Sequence, residues 1–153
     1  MGPWQNRFVP GATVADMGRF SVEIEVANGD DLAFARGGVL EPEKIRRITL
    51  QGAIDTGASR LVLPQWAVDQ LGLPSAGTTR VRYADQRRSE RHVVQQAQVY
   101  LMGRSGSFEA IVEPDRDEAL IGALVLESLD FLVDPFRERL VPRDPEMIFS
   151  EIE

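Results

Sequence analysis

A carboxylate placed where an extended segment breaks into a turn is the feature of this chain best suited to chemistry. Ile48 to Ile54 reads as a strand and runs into Asp55-Thr56-Gly57-Ala58-Ser59, after which Leu61-Val62-Leu63 resumes extended structure. Asp55 is thereby presented at a strand end among backbone groups, a setting that suits a carboxylate acting on a proton. Gly57 lets the chain turn tightly beside it. The same tripeptide is also a good Asx turn, in which the aspartate caps local N–H groups and does nothing else. Local pattern leaves both readings open.

Composition removes most competing chemistries. The 153 residues contain no Cys and a single His, His92. A disulfide framework, a cysteine-based zinc site and a cysteine nucleophile are excluded together. One histidine leaves little room for a multi-histidine metal site or a Ser-His-Asp triad. His92, in an alternating strand near polar residues, reads as a surface or rim histidine. The acidic run Glu113-Pro114-Asp115-Arg116-Asp117-Glu118 lacks the ligand spacing of a calcium loop and reads as a solvated loop. No metal and no cofactor are therefore expected. A net charge of −7 and a pI near 4.8 argue against nucleic acid as a partner. No apolar run approaches the ~20 residues of a membrane span, and Met1 to Phe20 lacks the apolar core of a signal peptide. The expected setting is cytoplasmic, with no membrane partner.

The elements that must hold Asp55 are short. Phe20, Val22, Ile24 and Val26 alternate with Ser21, Glu23 and Glu25, the period of a half-buried strand. Asn28-Gly29-Asp30-Asp31 reads as a hairpin turn, with a second short strand over Leu32 to Arg36. Pro64, Trp66, Val68 and Leu71, closed by Gly72, predict a short helix with Trp66 on its core side. Thr78 to Tyr83 and Val93 to Leu101 form a strand pair around the polar segment Ala84 to Arg91. Phe108 to Glu113 alternates again, Ala119-Leu120-Ile121 is an apolar strand stopped by Gly122, Ala123 to Leu129 is helical, and Phe131 to Val141 folds as a closing hairpin. Many short strands with one or two short helices predict an all-β fold, a small, mostly antiparallel closed barrel. Residues 1–18 read as an N-terminal arm, 19–143 as the domain, and 144–153 as a tail able to act as a dimer-interface strand.

Two landmarks in this order carry a resemblance. Asp55-Thr56-Gly57-Ala58-Ser59 and the downstream Leu120-Ile121-Gly122, which opens a helix, resemble the active-site loop and the apolar-Gly segment of retropepsin-like aspartic proteases. The likeness spans about Phe20 to Pro142. It implies an acid-protease barrel, one lobe per chain, with Tyr83-Ala84-Asp85-Gln86 as the flap over the substrate. It further implies a homodimer in which two Asp55 carboxylates share a proton around a water and hydrolyse a polypeptide substrate, since the chain holds a single Asp-Thr-Gly and no internal repeat. By the same resemblance Thr56 braces the two loops across the axis, Ala58 turns its N–H toward the carboxylate, and Ser59 supports the loop. Gln86 stands where such flaps often carry Gly, and Arg87, Arg88 and Arg91 make the tip cationic, as in a solvated hairpin end. Two other outcomes stay open: a catalytically silent module of this fold for peptide binding or dimerisation, and an acidic all-β domain whose Asp55 only caps a turn.

Overall fold

The computed structural model describes residues 19–144 together with Glu146 and Ile152. The arm expected over 1–18, and most of the tail expected over 144–153, lie outside the described residues.

The described residues form nine strands: β1 (Phe20–Asn28), β2 (Arg47–Ile54), β3 (Leu61–Pro64), β4 (Ser75–Arg82), β5 (Arg88–Leu101), β6 (Arg104–Glu113), β7 (Ala119–Ile121), β8 (Phe131–Asp134) and β9 (Arg139–Pro142). Three short helices intervene: α1 (Gly29–Arg36), α2 (Gln65–Leu71) and α3 (Ala123–Leu129), with a 3-10 turn at Pro42–Lys44. The strand order β1-β2-β7-β3-β6-β5, closed by pairing of β1 with β5, makes a six-stranded barrel. Closure removes the exposed edges that an open sheet of this size would leave. Most pairings are antiparallel; β2 with β7 and β3 with β6 are parallel. β4 pairs only with β5, so the β4–β5 hairpin projects beyond the barrel. A register shift between Val94 and Ala97, with Gln96 at φ 65°, bends β5 from that hairpin into the wall. The β8–β9 hairpin is a separate two-stranded sheet.

The core is aliphatic. Ile24, Val26, Ile54, Leu61, Leu63, Leu71, Val99, Leu101, Ile121 and Leu129 are all but inaccessible. They come from alternate positions of the strands and from the inner faces of α2 and α3. Trp66 is not among them. It is 38% exposed, and its indole N–H donates to the Asp117 carbonyl at 3.0 Å, strapping the acidic loop to α2.

The segment after Asn28 corrects the sequence reading. No hairpin forms there and Leu32 to Arg36 is not a strand; Gly29–Arg36 is α1. Among the described residues there are accordingly three short helices, where one or two were expected. Asn28, read as the first residue of a turn, is the helix N-cap: its side-chain oxygen accepts from Asp31 N–H at 3.0 Å. Its amide donates to the Leu71 carbonyl at 2.8 Å and to Gly72 at 3.3 Å. Asp31, 5% exposed, accepts from the Arg46 backbone N–H, Nε and Nη2 at 2.8–3.0 Å. Gly72 (φ 60°) ends α2, and a Cβ there would sit 2.0 Å from Arg46 Nη1. One polar cluster thus ties α1, the approach to β2 and the end of α2 together.

Arg46 holds the Asp31 carboxyl below the usual carboxylate range, against the opposing effect of burial. A depressed native value means the stabilisation is complete above the unfolded carboxylate range and is lost as pH falls through that range and below it. Asp31→Asn is therefore expected to lower stability at neutral pH by roughly 1–3 kcal/mol. Melting of both proteins from pH 7 to pH 3 should show the gap closing with acid; a gap that widens would refute the account.

Candidate active site

The pleat and the barrel register bring the Asp55 turn together. β2 delivers Asp55 directly after buried Ile54, and the Asp55 N–H donates to the Ile121 carbonyl at 3.1 Å. Asp55 itself is 7% exposed. Its Oδ1 accepts the Gly57 N–H at 2.9 Å, and its backbone carbonyl accepts the Ala58 N–H at 3.2 Å. The N–H facing the carboxylate is therefore that of Gly57. The Ala58 N–H, expected there, closes the turn on the main chain instead.

Gly122 and α3 lock the turn from below. The first N–H groups of a helix have no partner within it. Here Ala123 N–H donates to the Ala58 carbonyl at 2.8 Å and Leu124 N–H to the Ser59 carbonyl at 2.9 Å. Ser59 thus supports the loop through its carbonyl, while its side chain is exposed. A Cβ on Gly122 would lie 2.5 Å from the Arg60 carbonyl oxygen and 2.6 Å from the Ser59 carbonyl carbon. Only Gly permits this approach of α3 to the loop. Leu120 pairs across to Ala53 and Val62, and Ile121 fills the core beneath. Thr56 is exposed and makes no hydrogen bond among the described residues.

Arg19 is the site residue that sequence reasoning missed. Its Nη2 donates to Asp55 Oδ2 at 2.8 Å. The cause is register: β1 pairs antiparallel with β2, Phe20 opposite Ile54, so the residue before Phe20 falls opposite Asp55. The signal was present in the alternation of β1, but it needed the strand pairing to become readable.

Tyr83, Ala84, Asp85 and Gln86 form the tip of the β4–β5 hairpin, closed by Tyr83 N–H to Arg87 carbonyl and Gln86 N–H to Tyr83 carbonyl. Gln86 takes φ 71°, the conformation Gly adopts freely and other residues at a cost of roughly 1–2 kcal/mol. Asp85 makes an Asx turn, accepting the Arg87 N–H at 2.9 Å. Tyr83 is tied down: its hydroxyl donates to Glu113 Oε1 at 2.6 Å, and the Arg91 Nε donates to the same oxygen at 2.6 Å. The Arg87 guanidinium lies 4.5 Å from the centre of the Tyr83 ring. Burial and the adjacent Glu113 raise the Tyr83 hydroxyl above its ordinary value, keeping it a donor. Glu113 is thus an anchor for the hairpin rather than part of a solvated loop. His92 is exposed on β5 opposite Thr78. No described helix is long and apolar enough to cross a membrane.

The family model for aspartyl proteases matches residues 43–125, just over half of the chain. Comparison with curated proteins returns no match. Among solved structures the chain is similar to the protease of Simian Foamy Virus (mac), solved in solution, at 15% identity; the alignment covers 72% of this chain and 94% of that one, with a TM-score of 0.46.

Proposed function

The chain belongs to the aspartyl protease family, and from that premise we propose that it is a homodimeric aspartic endopeptidase acting on extended polypeptides. The supporting observation is Asp55: a nearly buried carboxylate held at a strand end by the Gly57 N–H, within the one Asp-Thr-Gly of the chain. In the proposed reaction two Asp55 groups, one per protomer, share one proton. The ionised carboxylate takes a proton from water as the water oxygen bonds to the scissile carbonyl carbon; the protonated one donates to the carbonyl oxygen. The tetrahedral adduct collapses as the C–N bond breaks: the leaving amine takes the proton that the first carboxylate gained from water, and a hydroxyl of the adduct returns a proton to the second, restoring the shared one. Thr56, exposed beside Asp55, is the residue proposed to brace the loops across the twofold axis. The hairpin tip Tyr83–Gln86 is proposed to cover the substrate. A cytoplasmic setting, in keeping with a cysteine-free chain, belongs to the same proposal.

A second reading, a silent module of the same fold, is favoured by the tethered hairpin, since Tyr83 would have to leave Glu113 for the tip to move far. Activity and assembly measured together separate the two. Cleavage of a peptide library should appear only at concentrations where sedimentation shows a dimer. A monomer that cleaves would overturn the dyad, and a dimer that never cleaves would favour the silent module. Arg19 sharpens this test. It occupies Asp55 Oδ2 in the single chain and, if it stayed there in a dimer, would cover an oxygen that the proposed dyad needs free. The pair is half exposed and worth little, so Arg19→Gln is expected to raise cleavage by roughly two- to fivefold. A loss of activity would place Arg19 on the working carboxylate.

A further inference from the structure

We propose that the outer face of the β4–β5 hairpin is a docking site for an acidic stretch of the polypeptide substrate, flanking the bond that is cleaved; the substrate assignment rests on the protease reading above. The hairpin is a cationic island on an acidic chain. Thr78 to His92 holds five arginines and two carboxylates, a local balance of +3, in a protein of net −7. The pleat sorts these residues. Val81, Tyr83, Ser89 and Arg91 are half-buried on the inner face, where Arg91 and Tyr83 are spent on Glu113. Arg80, Arg82, Arg88 and Glu90 are exposed on the outer face.

On that outer face Arg82 stands directly opposite Arg88, and Arg80 opposite Glu90. Like charges directly opposed across an antiparallel pair destabilise it. The side chains of Arg80, Arg82 and Arg88 make no hydrogen bond or ion pair among the described residues. Arg87 and Arg91, from the same hairpin, are both paired with acids. Arg80, Arg82 and Arg88 also line an open groove of about 350 Å3 along with Val81. Three arginines whose stems line one groove, without an ion-pair partner in a chain with excess carboxylate, can offer their guanidinium groups to ligand carboxylates that each accept two parallel N–H bonds. A stretch with two or three acidic side chains matches this number of cations. A nucleic acid fits less well, because its phosphate run would extend from three cations onto an acidic body.

The groove lies on the same hairpin whose tip is proposed to cover the substrate. Arg82 and Arg88 flank the tip that the proposed mechanism lays over the substrate. At its base the hairpin shares a cavity of about 190 Å3, lined by Thr78, Thr79 and Val93, with Arg60, the residue that follows the Asp55 loop. An acidic segment held on the outer face is proposed to lie beside the substrate residues that the tip covers, with Glu109 in the basal cavity excluding it from there.

Two peptides test the proposal, sharing one cleavable core and flanked by either Glu or Gln residues. Binding by fluorescence anisotropy and cleavage are both measured, for the wild-type chain and for Arg82→Gln/Arg88→Gln. The Glu peptide is expected to bind, and to show a KM, roughly five- to twentyfold tighter than the Gln peptide at low salt, the gap shrinking as ionic strength rises. The double variant should erase the gap with kcat unchanged. Equal binding of the two peptides by the wild-type chain overturns the docking site, as does a preference that survives in a folded double variant. Tighter binding of a single-stranded oligonucleotide than of the Glu peptide overturns the polypeptide assignment. Charge-dependent binding of the Glu peptide without cleavage by the wild-type chain would uphold the site and refute the protease reading, so the two fail separately.

Discussion

Asp55→Asn is expected to reduce peptide cleavage by roughly 10²–10⁴-fold or more while the fold survives. The size of the loss follows from the proposed symmetry: one substitution removes both carboxylates of a homodimeric dyad, so neither a general base nor an acid is left. The survival of the fold follows from the local geometry. An asparagine Oδ1 can still accept the Gly57 N–H that Asp55 accepts at 2.9 Å. What is lost in the single chain is the Arg19 pair, whose guanidinium side is 51% exposed, worth at most about 1 kcal/mol. In the proposed dimer, relieving the crowding of two facing carboxyl groups around one negative charge offsets part of that. Asp55→Ala differs, because it also orphans the Gly57 N–H, and should cost about 0.5–2 kcal/mol as the loss of a cap does. Peptide hydrolysis and thermal melting of the two variants decide the matter. Unreduced cleavage by the Asn variant would remove Asp55 from the mechanism. A large drop in its melting temperature would refute the account of the surviving fold.

Gly122→Ala is expected to be the most damaging single-methyl change in the site. Its Cβ would meet three backbone atoms of Ser59 and Arg60 at 2.5–2.7 Å. No side chain is present there to swing aside, so α3 and the loop must separate. Separation strains both bonds that α3 makes to the loop, Ala123 to Ala58 and Leu124 to Ser59. Overpacking of this kind costs about 1–3 kcal/mol or more, which for a chain of this size lowers the melting temperature by roughly 2–12 °C. A displacement of Asp55 by an ångström would cost activity by about 10²-fold. Gly37→Ala is the control: its φ is −81° and a Cβ there meets nothing nearer than 3.6 Å. Equal melting of the two variants would refute the packing argument.

What sequence alone determined is the set of features written in short-range pattern. The alternation of Phe20, Val22, Ile24 and Val26 made β1 legible, because a two-residue period has only one pleated solution with a buried face. The Asp55-Thr56-Gly57 turn was legible because an extended segment, a tight Gly turn and a second apolar segment follow one another along the chain. Leu120-Ile121-Gly122 and the helix after it were legible for the same reason. Asn28-Gly29-Asp30-Asp31 shows where this stops. A hairpin turn and a helix N-cap use the same residue types, and the choice fell to remote partners: the Leu71 and Gly72 carbonyls that receive the Asn28 amide, and Arg46, which neutralises Asp31. Trp66 met the same limit, its helical spacing pointing inward while its indole N–H found the Asp117 carbonyl at the surface. Only the tertiary structure could set the strand order, in which β2 and β3 take parallel partners from far along the chain. That order put the Ile121 carbonyl under Asp55, and the β1–β2 register put Arg19 on its carboxylate. Glu113 became the anchor of Tyr83 and Arg91 in the same way. The character of each strand comes from neighbours one and two residues away, whereas the company each charge keeps is set by which strands lie side by side.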